Sequence, residues 1–355
     1  MIVRHDYSLL EHNTFGINAK CRTYIEFSNV DEAIEAACML REGDGNFLIL
    51  GGGSNLLLKG DFNGTVVHSA IKGIKEKNAD NDNAAETVFL QCGSGEKWDD
   101  VVAYAVAHKM YGAENLSIIP GDAGASAVQN IGAYGAEIKD VLENIEAIEI
   151  STGNIVNISN SDCDYSYRQS RFKKDWKDKY LITHVTYRFC TKFVPRLDYG
   201  NIRTTICRMK GLVPDNLDIK SVTADDVRKA VIEIRNSKLP DPKVLGNGGS
   251  FFMNPIVDAE TLNRLRGEHP DIPFYEMPQA HDGGMKYKIP AGWLIDKCGW
   301  KGKSLGRAGV HKNQALVLVN LGGATGQDIL GLCKRIQKDV RDKFGLDIKP
   351  EVNII

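Results

Sequence analysis

The apolar residues in the first third of the chain fall into short runs that end in glycine-rich loops. Residues 47–50 and 88–90 are such runs, and each leads within three residues into glycine and serine. This pattern predicts β-strands. Residues 31–40 and 98–110 instead place their apolar positions at helical spacing, the first of them just after the capping residue Asn29. They predict two α-helices, so the chain is of mixed α and β type.

The middle of the chain has the pattern of a β-rich segment. Residues 143–150 and 155–158 flank the turn sequence 151–154, which predicts a β-hairpin. Residues 180–189 alternate between apolar and polar, as a strand with one exposed face does. The polar residues 160–176 between them, rich in tyrosine and arginine, predict a loop.

A polar stretch, residues 211–220, is the best linker candidate because it contains Pro214 and few large apolar residues. A second domain is expected to begin there. Thr223 and Asp226 have the spacing of a capping box that opens a helix through Arg235.

The C-terminal part predicts one long helix and one short strand. Residues 327–343 repeat apolar positions at helical spacing and stop at Gly345, a common helix terminator. Residues 349–355 follow as a short strand. The chain has no tandem repeats.

Composition narrows the function. At 355 residues the chain is long enough for two or three domains, and its 44 basic and 46 acidic residues are interspersed, with a net charge of −2. Nucleic acid and anionic membrane are therefore not expected partners. Eight cysteines are scattered singly, with no spacing typical of a metal site, and no metal is predicted. Without a signal-peptide pattern or an apolar run long enough for a bilayer, we expect a cytoplasmic protein.

Two segments rich in glycine and small residues are candidates for phosphate binding. Residues 51–55 follow a predicted strand, and residues 119–126 form a loop that leads into 129–135. Together they could clamp a dinucleotide diphosphate through backbone N–H groups, with Asn and Gln amides recognising a flat polar ring. Ordinary turn chemistry is the alternative for each. Neither a Rossmann fingerprint nor a Walker A loop is present, since Lys297 stands where the latter needs glycine.

Ser250 stands in an unusual local sequence. Gly248 and Gly249 precede it, and Phe251 and Phe252 follow it. The glycines permit a sharp bend or the close approach of a ligand, and the phenylalanines would anchor the segment in a core. The hydroxyl is therefore expected to be held in a fixed place, although a simple turn role is the alternative.

The ordered motifs of the chain resemble the UDP-N-acetylenolpyruvoylglucosamine reductases, also called UDP-N-acetylmuramate dehydrogenases, and more closely their subgroup with a tyrosine-bearing substrate loop. The resemblance spans nearly the whole chain. The matching segments are residues 12–16, 51–55, 119–121, 129–135, 167–168 with Ser170 and 172–173, 238–243, 249–252, 291–296 and 350–352.

The resemblance implies an α+β fold in which a two-lobed FAD-binding region of the vanillyl-alcohol-oxidase (PCMH-type) kind is joined to a C-terminal α+β substrate-binding domain. Residues 1–68 with 346–355 would form the first FAD-binding lobe. Residues 69–212, with the tyrosine loop near residue 199, would form the second lobe. Residues 218–345 would bind the UDP-sugar.

The family activity would be reduction of the enolpyruvyl group of a UDP-sugar, in peptidoglycan precursor synthesis, by NADPH through non-covalently bound FAD. Hydride goes to the terminal carbon, and a proton must then reach the neighbouring carbon. The match assigns Ser250 as the proton donor. It assigns Arg168 and Glu351 to the substrate carboxylate, Arg168 as a planar fork and Glu351 as a protonated hydrogen-bond donor.

The same matching extends to the ligand contacts. The residues expected to bind the cofactor are Gly51, Gly52, Gly53, Ser54, Asn55, Pro120, Gly121, Gln129, Asn130, Ile131, Gly132, Ala133 and Tyr134. The residues expected to bind the substrate are Tyr167, Tyr199, Lys238, Asn254, Tyr275, Lys301 and Gln314. Tyr199 would lie on a loop that closes over the UDP as a lid.

Three positions depart from the family pattern. Ala127 stands where the subgroup often has proline, so the flavin loop is expected to be less rigid. Gly248 replaces a common alanine, which is expected to loosen the support of Ser250. Met253 replaces a common lysine and removes a charge near the substrate.

Two other functions remain open on the sequence. A flavin oxidase of the same fold acting on an alcohol or sugar would share the flavin loops without needing the three catalytic residues. A non-catalytic binder of flavin or UDP-sugar would be expected to have lost one of those three. We expect the reductase to act as a monomer.

Overall fold

The structure is a computed structural model that describes residues 1–77, 86–213, 216–277 and 284–355. It divides into two compact units. The first consists of Met1–Tyr7, Cys21–Gly53 and Asn63–Asn236, and the second of Ser8–Lys20, Ser54–Phe62 and Ser237–Ile355. The lobe and domain boundaries given by the family resemblance stay a prediction, because compactness does not identify the cofactor- and substrate-binding parts.

The helices and strands of the described residues alternate along the chain. The helices are α1 (Val30–Glu42), α2 (Trp98–Ala107), α3 (Ala123–Gln129), α4 (Ile202–Lys210), α5 (Ala224–Lys238), α6 (Ala259–Glu268), α7 (Ala291–Lys297) and α8 (Gly326–Phe344). The strands are β1 (Ile2–Ser8), β2 (Lys20–Phe27), β3 (Phe47–Leu50), β4 (Leu56–Leu57), β5 (Phe62–Ser69), β6 (Ile74–Lys77), β7 (Thr87–Gly93), β8 (Gly132–Ala133), β9 (Ala136–Glu137), β10 (Leu142–Glu149), β11 (Ile155–Ser159), β12 (Tyr180–Cys190), β13 (Asn247–Ser250), β14 (Ile256–Asp258), β15 (Tyr275–Glu276), β16 (Lys286–Lys288), β17 (Ser304–Leu305), β18 (Ala308–Val310), β19 (Val317–Asn320) and β20 (Asn353–Ile354).

The first unit contains two main sheets. One has the strand order β1-β2-β5-β3, with β3 and β5 parallel. The other has the order β11-β10-β12-β7-β6 and is antiparallel. The predicted hairpin is confirmed, since β10 and β11 pair across the turn at residues 151–154.

The predicted helix near residues 31–40 is confirmed as α1, and its sequence explains both its start and its packing. The Asn29 side chain accepts the Glu32 N–H at 2.9 Å, which caps the helix. Ala33, Ala36 and Leu40 are buried on one face, where they pack with residues of β2, β5 and β12. The small alanines let the helix approach the sheets closely.

The strand at residues 180–189 was expected to have an exposed face, and this expectation is wrong. Strand β12 lies between β10 and β7, and helices α1 and α3 both pack against it, so most of its residues are buried. Two of its polar side chains, Thr183 and His184, are hydrogen-bonded to Glu146 of β10. The Thr183 hydroxyl, fully buried, donates to the Glu146 carboxylate at 2.8 Å. Hydrogen bonding therefore allows an alternating pattern in a buried strand.

The capping box predicted for α5 is confirmed. The Thr223 N–H donates to the Asp226 carboxylate at 2.9 Å, and the Asp226 N–H donates to the Thr223 hydroxyl at 3.1 Å. The helix runs to Lys238, beyond the predicted end at Arg235. The predicted linker before it lies partly outside the described residues, since Pro214 and Asp215 are not described.

The second unit contains the sheets β13-β19-β18-β17 and β14-β16-β15 and the parallel pair β4-β20. Helix α8 confirms the long C-terminal helix, and Gly345 ends it with a φ of +66°. The final strand is shorter than predicted, because only Asn353 and Ile354 pair with β4. No helix in the described ranges is long and apolar enough to span a membrane.

Candidate active site

The two segments predicted to clamp a diphosphate lie against each other in the first unit. A Cβ added to Gly51 would lie 2.9 Å from the Ala125 Cβ, and one added to Gly52 would lie 3.1 Å from the Gly121 Cα. Gly53 has a φ of +62° and Gly121 a φ of +121°. Glycine is therefore needed both for the close contact and for the backbone conformation.

Part of the second segment is helical, which corrects the expectation of a continuous loop. Residues Ala123–Gln129 form α3, and a Cβ on Gly124 would lie 2.9 Å from the Ser94 Cβ. Ala127 is fully buried inside this helix. Alanine is the best helix former, so the position that was expected to loosen the flavin loop belongs to a regular helical turn.

Asn130 ends α3, and its side chain has an internal role. Its amide donates to the Glu137 carboxylate at 3.0 Å and to the Ser166 carbonyl at 2.9 Å, while its oxygen accepts the Lys139 N–H at 3.3 Å. The residue is fully buried with a φ of +43°. The expectation that this amide recognises a flat ring is therefore wrong, because its donors are already used.

The segment after α3 forms a tight hairpin of β8 and β9. Its two turn residues, Tyr134 and Gly135, both have positive φ, at 50° and 80°. This is the conformation of the common two-residue hairpin turn. The Tyr134 ring meets the Tyr199 ring edge to face at a centroid distance of 6.4 Å. The predicted lid tyrosine, 46% exposed, thus lies against the predicted cofactor segment.

Arg168 stands at the tip of a short turn closed by mutual backbone hydrogen bonds between Ser166 and Gln169. Its φ of +57° is unusual for a residue other than glycine and costs about 1–3 kcal/mol, a strain that clusters at functional sites. Its guanidinium donates to the Gly132 carbonyl at 2.8 Å, and the Lys173 ammonium donates to the Arg168 carbonyl at 3.0 Å. Both contacts fix the arginine beside the cofactor segment.

Arg235 lies near Tyr134 and Arg168 and was not among the residues predicted from the sequence. It projects from α5 and is half-buried, and its buried Nε has no hydrogen-bond partner among the described residues. Burial is the main cause that lowers its pKa, and the charge of Arg168 lowers it further, while Tyr134 and Asp99 act in the opposite direction. The sequence shows only an arginine next to the apolar stripe of an amphipathic helix, which does not reveal the burial of its Nε.

A second arginine of α5 holds the start of the predicted cofactor loop. Arg228 binds both carboxylate oxygens of Asp99, at 2.7 and 2.9 Å, and the Ile118 N–H donates to the same carboxylate at 2.6 Å. Burial raises the pKa of Asp99, but these hydrogen bonds outweigh it, and the net shift is downward. The ion pair supports Ile118, whose φ of +49° is strained for a β-branched residue.

In the second unit, Ser250 ends strand β13, where it pairs with Val317 and is exposed. Phe251 and Phe252 are fully buried, as the sequence predicts. Gly249 has a φ of +69°, so the bend before the serine requires glycine.

Gly248 does not loosen the support of Ser250, contrary to the expectation from the family pattern. A Cβ at this position would lie 2.6 Å from Cε2 of Phe15, a fully buried ring. The ring of Phe15 fills the space that an alanine methyl would need, and it also packs edge to face on Phe251.

We therefore expect Gly248→Ala to lower the free energy of unfolding by about 1–3 kcal/mol, the usual cost of overpacking. Thermal or urea unfolding measures the change. Gly331→Ala is the matched control, since nothing lies within 4 Å of the added methyl on α8. It should stabilise the protein by up to about 1 kcal/mol. Equal effects of the two substitutions would contradict the packing described for Phe15.

Backbone pairing brings Ser250 and Glu351 into one neighbourhood, although they are far apart in sequence. The Glu351 N–H donates to the Phe251 carbonyl at 2.8 Å, and the Met253 N–H donates to the Lys349 carbonyl at 2.9 Å. The Asn55 amide donates to the Glu351 carbonyl at 3.3 Å. The serine and the glutamate are thus held by main-chain hydrogen bonds, and the side chain of Asn55, at the end of the glycine segment, joins them.

Two of the residues predicted to bind substrate lie near the start of α7. The Asn254 side chain accepts the Ala291 N–H at 2.9 Å, and the Gln314 side-chain oxygen would lie 3.2 Å from a Cβ on Gly292. The Gln314 oxygen also accepts the Leu316 N–H at 3.3 Å, so both amides are held by protein contacts.

The other predicted substrate residues of the second unit lie on its surface. Lys238, at the end of α5, is exposed, and so is Tyr275 on β15. Lys301 is exposed and lies 3.6 Å from the Asp296 carboxylate. In the described part of the chain no group of three or more His, Cys, Asp or Glu side chains could hold a metal ion.

Two family models match the chain. A model of an FAD-binding domain matches residues 22–159, which contain Gly51, Gly52, Gly53 and the segment 120–134. Gly51, Gly52, Gly53 and Gly121 form a glycine cradle on this domain. Such a cradle of small residues is what a diphosphate requires, so the residues present fit the cofactor. The protein is therefore an FAD-containing oxidoreductase. The second model describes the C-terminal domain of UDP-N-acetylenolpyruvoylglucosamine reductase and matches residues 241–355.

Full-length relatives identify the family. The UDP-N-acetylenolpyruvoylglucosamine reductase of Bacteroides fragilis is 46% identical over 349 residues, 98% of this chain and 99% of the relative. That of Porphyromonas gingivalis is 44% identical over 358 residues, covering 100% of both chains. This chain belongs to the UDP-N-acetylenolpyruvoylglucosamine reductase family.

A solved structure confirms the fold. UDP-N-acetylenolpyruvylglucosamine reductase from Thermus caldophilus matches with a TM-score of 0.65 and 20% sequence identity, covering 99% of each chain. The family resemblance and the fold class predicted from the sequence are both confirmed.

The close contact between Gly51 and Ala125 in the glycine cradle leads to a prediction about cofactor binding. Gly51→Ala would force its methyl against Ala125, so the two segments would move apart. We expect the dissociation constant for FAD to rise at least about tenfold, or roughly 1.4 kcal/mol. Flavin fluorescence during titration of the apoprotein measures it. Gly60→Ala, with open space around the added methyl, is the control. An unchanged FAD affinity in Gly51→Ala would show that this contact does not shape the cofactor site.

Proposed function

We propose that this chain reduces the enolpyruvyl group of UDP-N-acetylglucosamine enolpyruvate to a lactyl ether, with NADPH as the reductant, and so makes UDP-N-acetylmuramate for peptidoglycan. Family membership supports this function. The observation that carries the chemistry is the main-chain pairing that holds Ser250 and Glu351 together in the second unit. A proton donor and a group for the substrate carboxylate are both needed for this reduction.

Gly51 to Asn55 and the segment from Pro120 to Tyr134 would hold FAD, with the backbone of the cradle around its diphosphate. Bound FAD supplies the hydride that it receives from NADPH. Because the Asn130 amide is used internally, this residue would contribute only its backbone. The Gly132 carbonyl, already bound by Arg168, ties the cofactor segment to the catalytic arginine.

Arg168 would bind the substrate carboxylate, where negative charge develops during the reduction. A guanidinium has five N–H donors in a rigid fork, and the contact with Gly132 uses one of them. The fixed backbone of the turn at Ser166 and Gln169 preorganises the arginine. Such preorganised charge is the most effective way to stabilise a developing anion.

Ser250 would deliver its hydroxyl proton to the substrate carbon next to the carboxylate. Its position at the end of β13, beside the buried Phe251, fixes the backbone from which the hydroxyl projects. A serine can act as an acid here because the accepting carbanion is strongly basic. Glu351, in protonated form, would donate a hydrogen bond to the same carboxylate.

Tyr167, Tyr199, Lys238, Asn254, Tyr275, Lys301 and Gln314 would bind the UDP-sugar. The lysines provide compact positive charge for the phosphates, and the tyrosine hydroxyls and amides provide neutral hydrogen bonds. Tyr199, now packed edge to face on Tyr134, would close over the substrate. We propose that the enzyme works as a monomer in the cytoplasm.

The experiment is a product analysis. The purified holoenzyme is incubated with NADPH and UDP-N-acetylglucosamine enolpyruvate, and the sugar is followed by mass spectrometry. The expected product carries two more hydrogen atoms than the substrate, in an amount that matches the NADPH consumed. Oxygen consumption with an alcohol or sugar, and no reduction of the enolpyruvyl group, would overturn the proposal in favour of an oxidase.

A further inference from the structure

A buried carboxyl group lies against the glycine cradle and takes no part in the mechanism above. Asp122 precedes α3 and is 9% exposed. At this position an aspartate usually caps its helix, but its side chain makes no capping hydrogen bond. The N–H groups of Ala123 and Gly124 instead donate to the carbonyls of Glu96 and Ser94, at 2.7 and 2.9 Å.

The carboxyl is turned toward the cradle. A Cβ on Gly52 would lie 3.1 Å from its Oδ1, and one on Gly51 would lie 3.8 Å from its Oδ2. No hydrogen bond or ion pair joins this carboxyl to another side chain or backbone N–H in the residues that the structure describes. A nearly buried carboxyl without a protein partner within the described ranges of the chain is available to a ligand, and the side that it faces is the glycine cradle.

The charges around Asp122 come from three surrounding segments. His68, Lys72 and Lys97 favour the ionised carboxylate and so lower its pKa, whereas Glu96 favours the protonated acid and raises it. The Lys72 ammonium also lies 3.9 Å from the Glu96 carboxylate, so its charge acts on both acids. Burial is the largest influence and outweighs the cations, so the pKa of Asp122 is raised to about 6. The carboxyl can therefore gain a proton near neutral pH when a further negative charge approaches.

We propose that Asp122 binds the diphosphate of FAD as a carboxylic acid, donating its O–H to a phosphate oxygen, so that cofactor binding takes up one proton. The proposal rests on the proposed placement of the diphosphate in the glycine cradle. An ionised carboxylate there would repel the phosphates in a site of low dielectric. A proton taken from solvent converts this repulsion into a short charge-assisted hydrogen bond.

The sign of the pH dependence follows directly. The free carboxyl is already protonated well below about pH 6, and FAD then binds without proton uptake. Above that value the proton must be acquired, and the FAD dissociation constant rises by up to about tenfold per pH unit. The rise ends where the carboxyl of the complex also ionises.

The test measures FAD affinity by fluorescence for the deflavinated full-length chain between about pH 5.5 and about pH 8.5, without NADPH or sugar. The wild type should weaken with rising pH, and calorimetry in two buffers of different ionisation enthalpy should show uptake approaching one proton near neutral pH. Asp122→Asn keeps an N–H donor without a titrating group. It should bind FAD about tenfold or more tightly than the wild type near pH 8, with most of the pH dependence gone.

Two control variants separate Asp122 from its neighbours. Asp100→Asn removes an exposed carboxylate in the first turn of α2 and should leave the wild-type pH profile unchanged. His68 is one of the groups that act on the Asp122 carboxyl, and His68→Gln should keep most of the pH dependence, because Asp122 is the group that takes up the proton. If the dependence disappears in His68→Gln and persists in Asp122→Asn, the proposal is overturned.

Three other outcomes are decisive. A wild-type affinity that does not change with pH overturns the proposal. So does an Asp122→Asn variant that binds FAD more weakly at every pH, because the carboxylate would then accept a hydrogen bond from a cofactor hydroxyl. An apoprotein that binds no FAD at any pH would overturn the proposed function together with this inference.

Discussion

Ser250→Ala is expected to slow the return of flavin absorbance by roughly 10²- to 10⁴-fold when NADPH-reduced enzyme is mixed with UDP-N-acetylglucosamine enolpyruvate. The substitution removes only the hydroxyl that we assign as the proton donor. The strand position, the pairing with Val317 and the buried Phe251 remain, so the fold and the FAD content should not change. Bleaching of the flavin by NADPH should proceed at the wild-type rate.

The experiment is a stopped-flow measurement of the two half-reactions. Ser304→Ala, an exposed serine on β17 of the same sheet, is the control and should behave as the wild type. Ser250→Cys restores an acidic hydrogen and should recover part of the rate. If Ser250→Ala reoxidises as fast as the wild type, the proton comes from another group.

Arg168→Lys is expected to lower kcat/KM for the enolpyruvyl sugar by roughly 10- to 100-fold, a loss of about 1.5–3 kcal/mol. Lysine keeps the positive charge and can occupy the same turn. It cannot bind the Gly132 carbonyl and a carboxylate at once with the geometry of a planar fork. The loss should therefore lie in the step that consumes the sugar, and the NADPH step should be unaffected.

Arg188→Lys is the control for Arg168→Lys. Arg188 is exposed on β12, 3.7 Å from the Glu143 carboxylate, and a lysine there should be neutral. An Arg168→Lys enzyme with full kcat/KM would show that charge alone suffices at this position. A loss confined to the NADPH step would place the arginine elsewhere in the site.

Elements with strong local signals were predicted well from the sequence. Helices α1 and α8 have regular apolar stripes and end signals at Asn29 and Gly345, so periodicity and capping were enough. The hairpin of β10 and β11 was equally clear. Helix α3 was missed because glycine and alanine give no apolar period, and its packing on Ser94 and β12 stabilises it instead.

Sequence motifs predicted individual residues of the site. They did not predict how those residues are arranged in space. The motif match gives Ser250, Arg168 and Glu351 as candidates, but pairing of Phe251 with Glu351 is a long-range contact without a local signal. The same holds for Phe15, whose ring explains Gly248. Arg235 and the carboxyl of Asp122 became visible only when burial and neighbours were known.

The central claim is that this FAD enzyme passes hydride from NADPH to an enolpyruvyl UDP-sugar, and an anaerobic single-turnover experiment on the holoenzyme tests it most directly. We predict that NADPH bleaches the flavin and that UDP-N-acetylglucosamine enolpyruvate then restores its absorbance with formation of one equivalent of UDP-N-acetylmuramate. Flavin that NADPH does not reduce, or reduced flavin that the enolpyruvyl sugar leaves bleached, would contradict the claim.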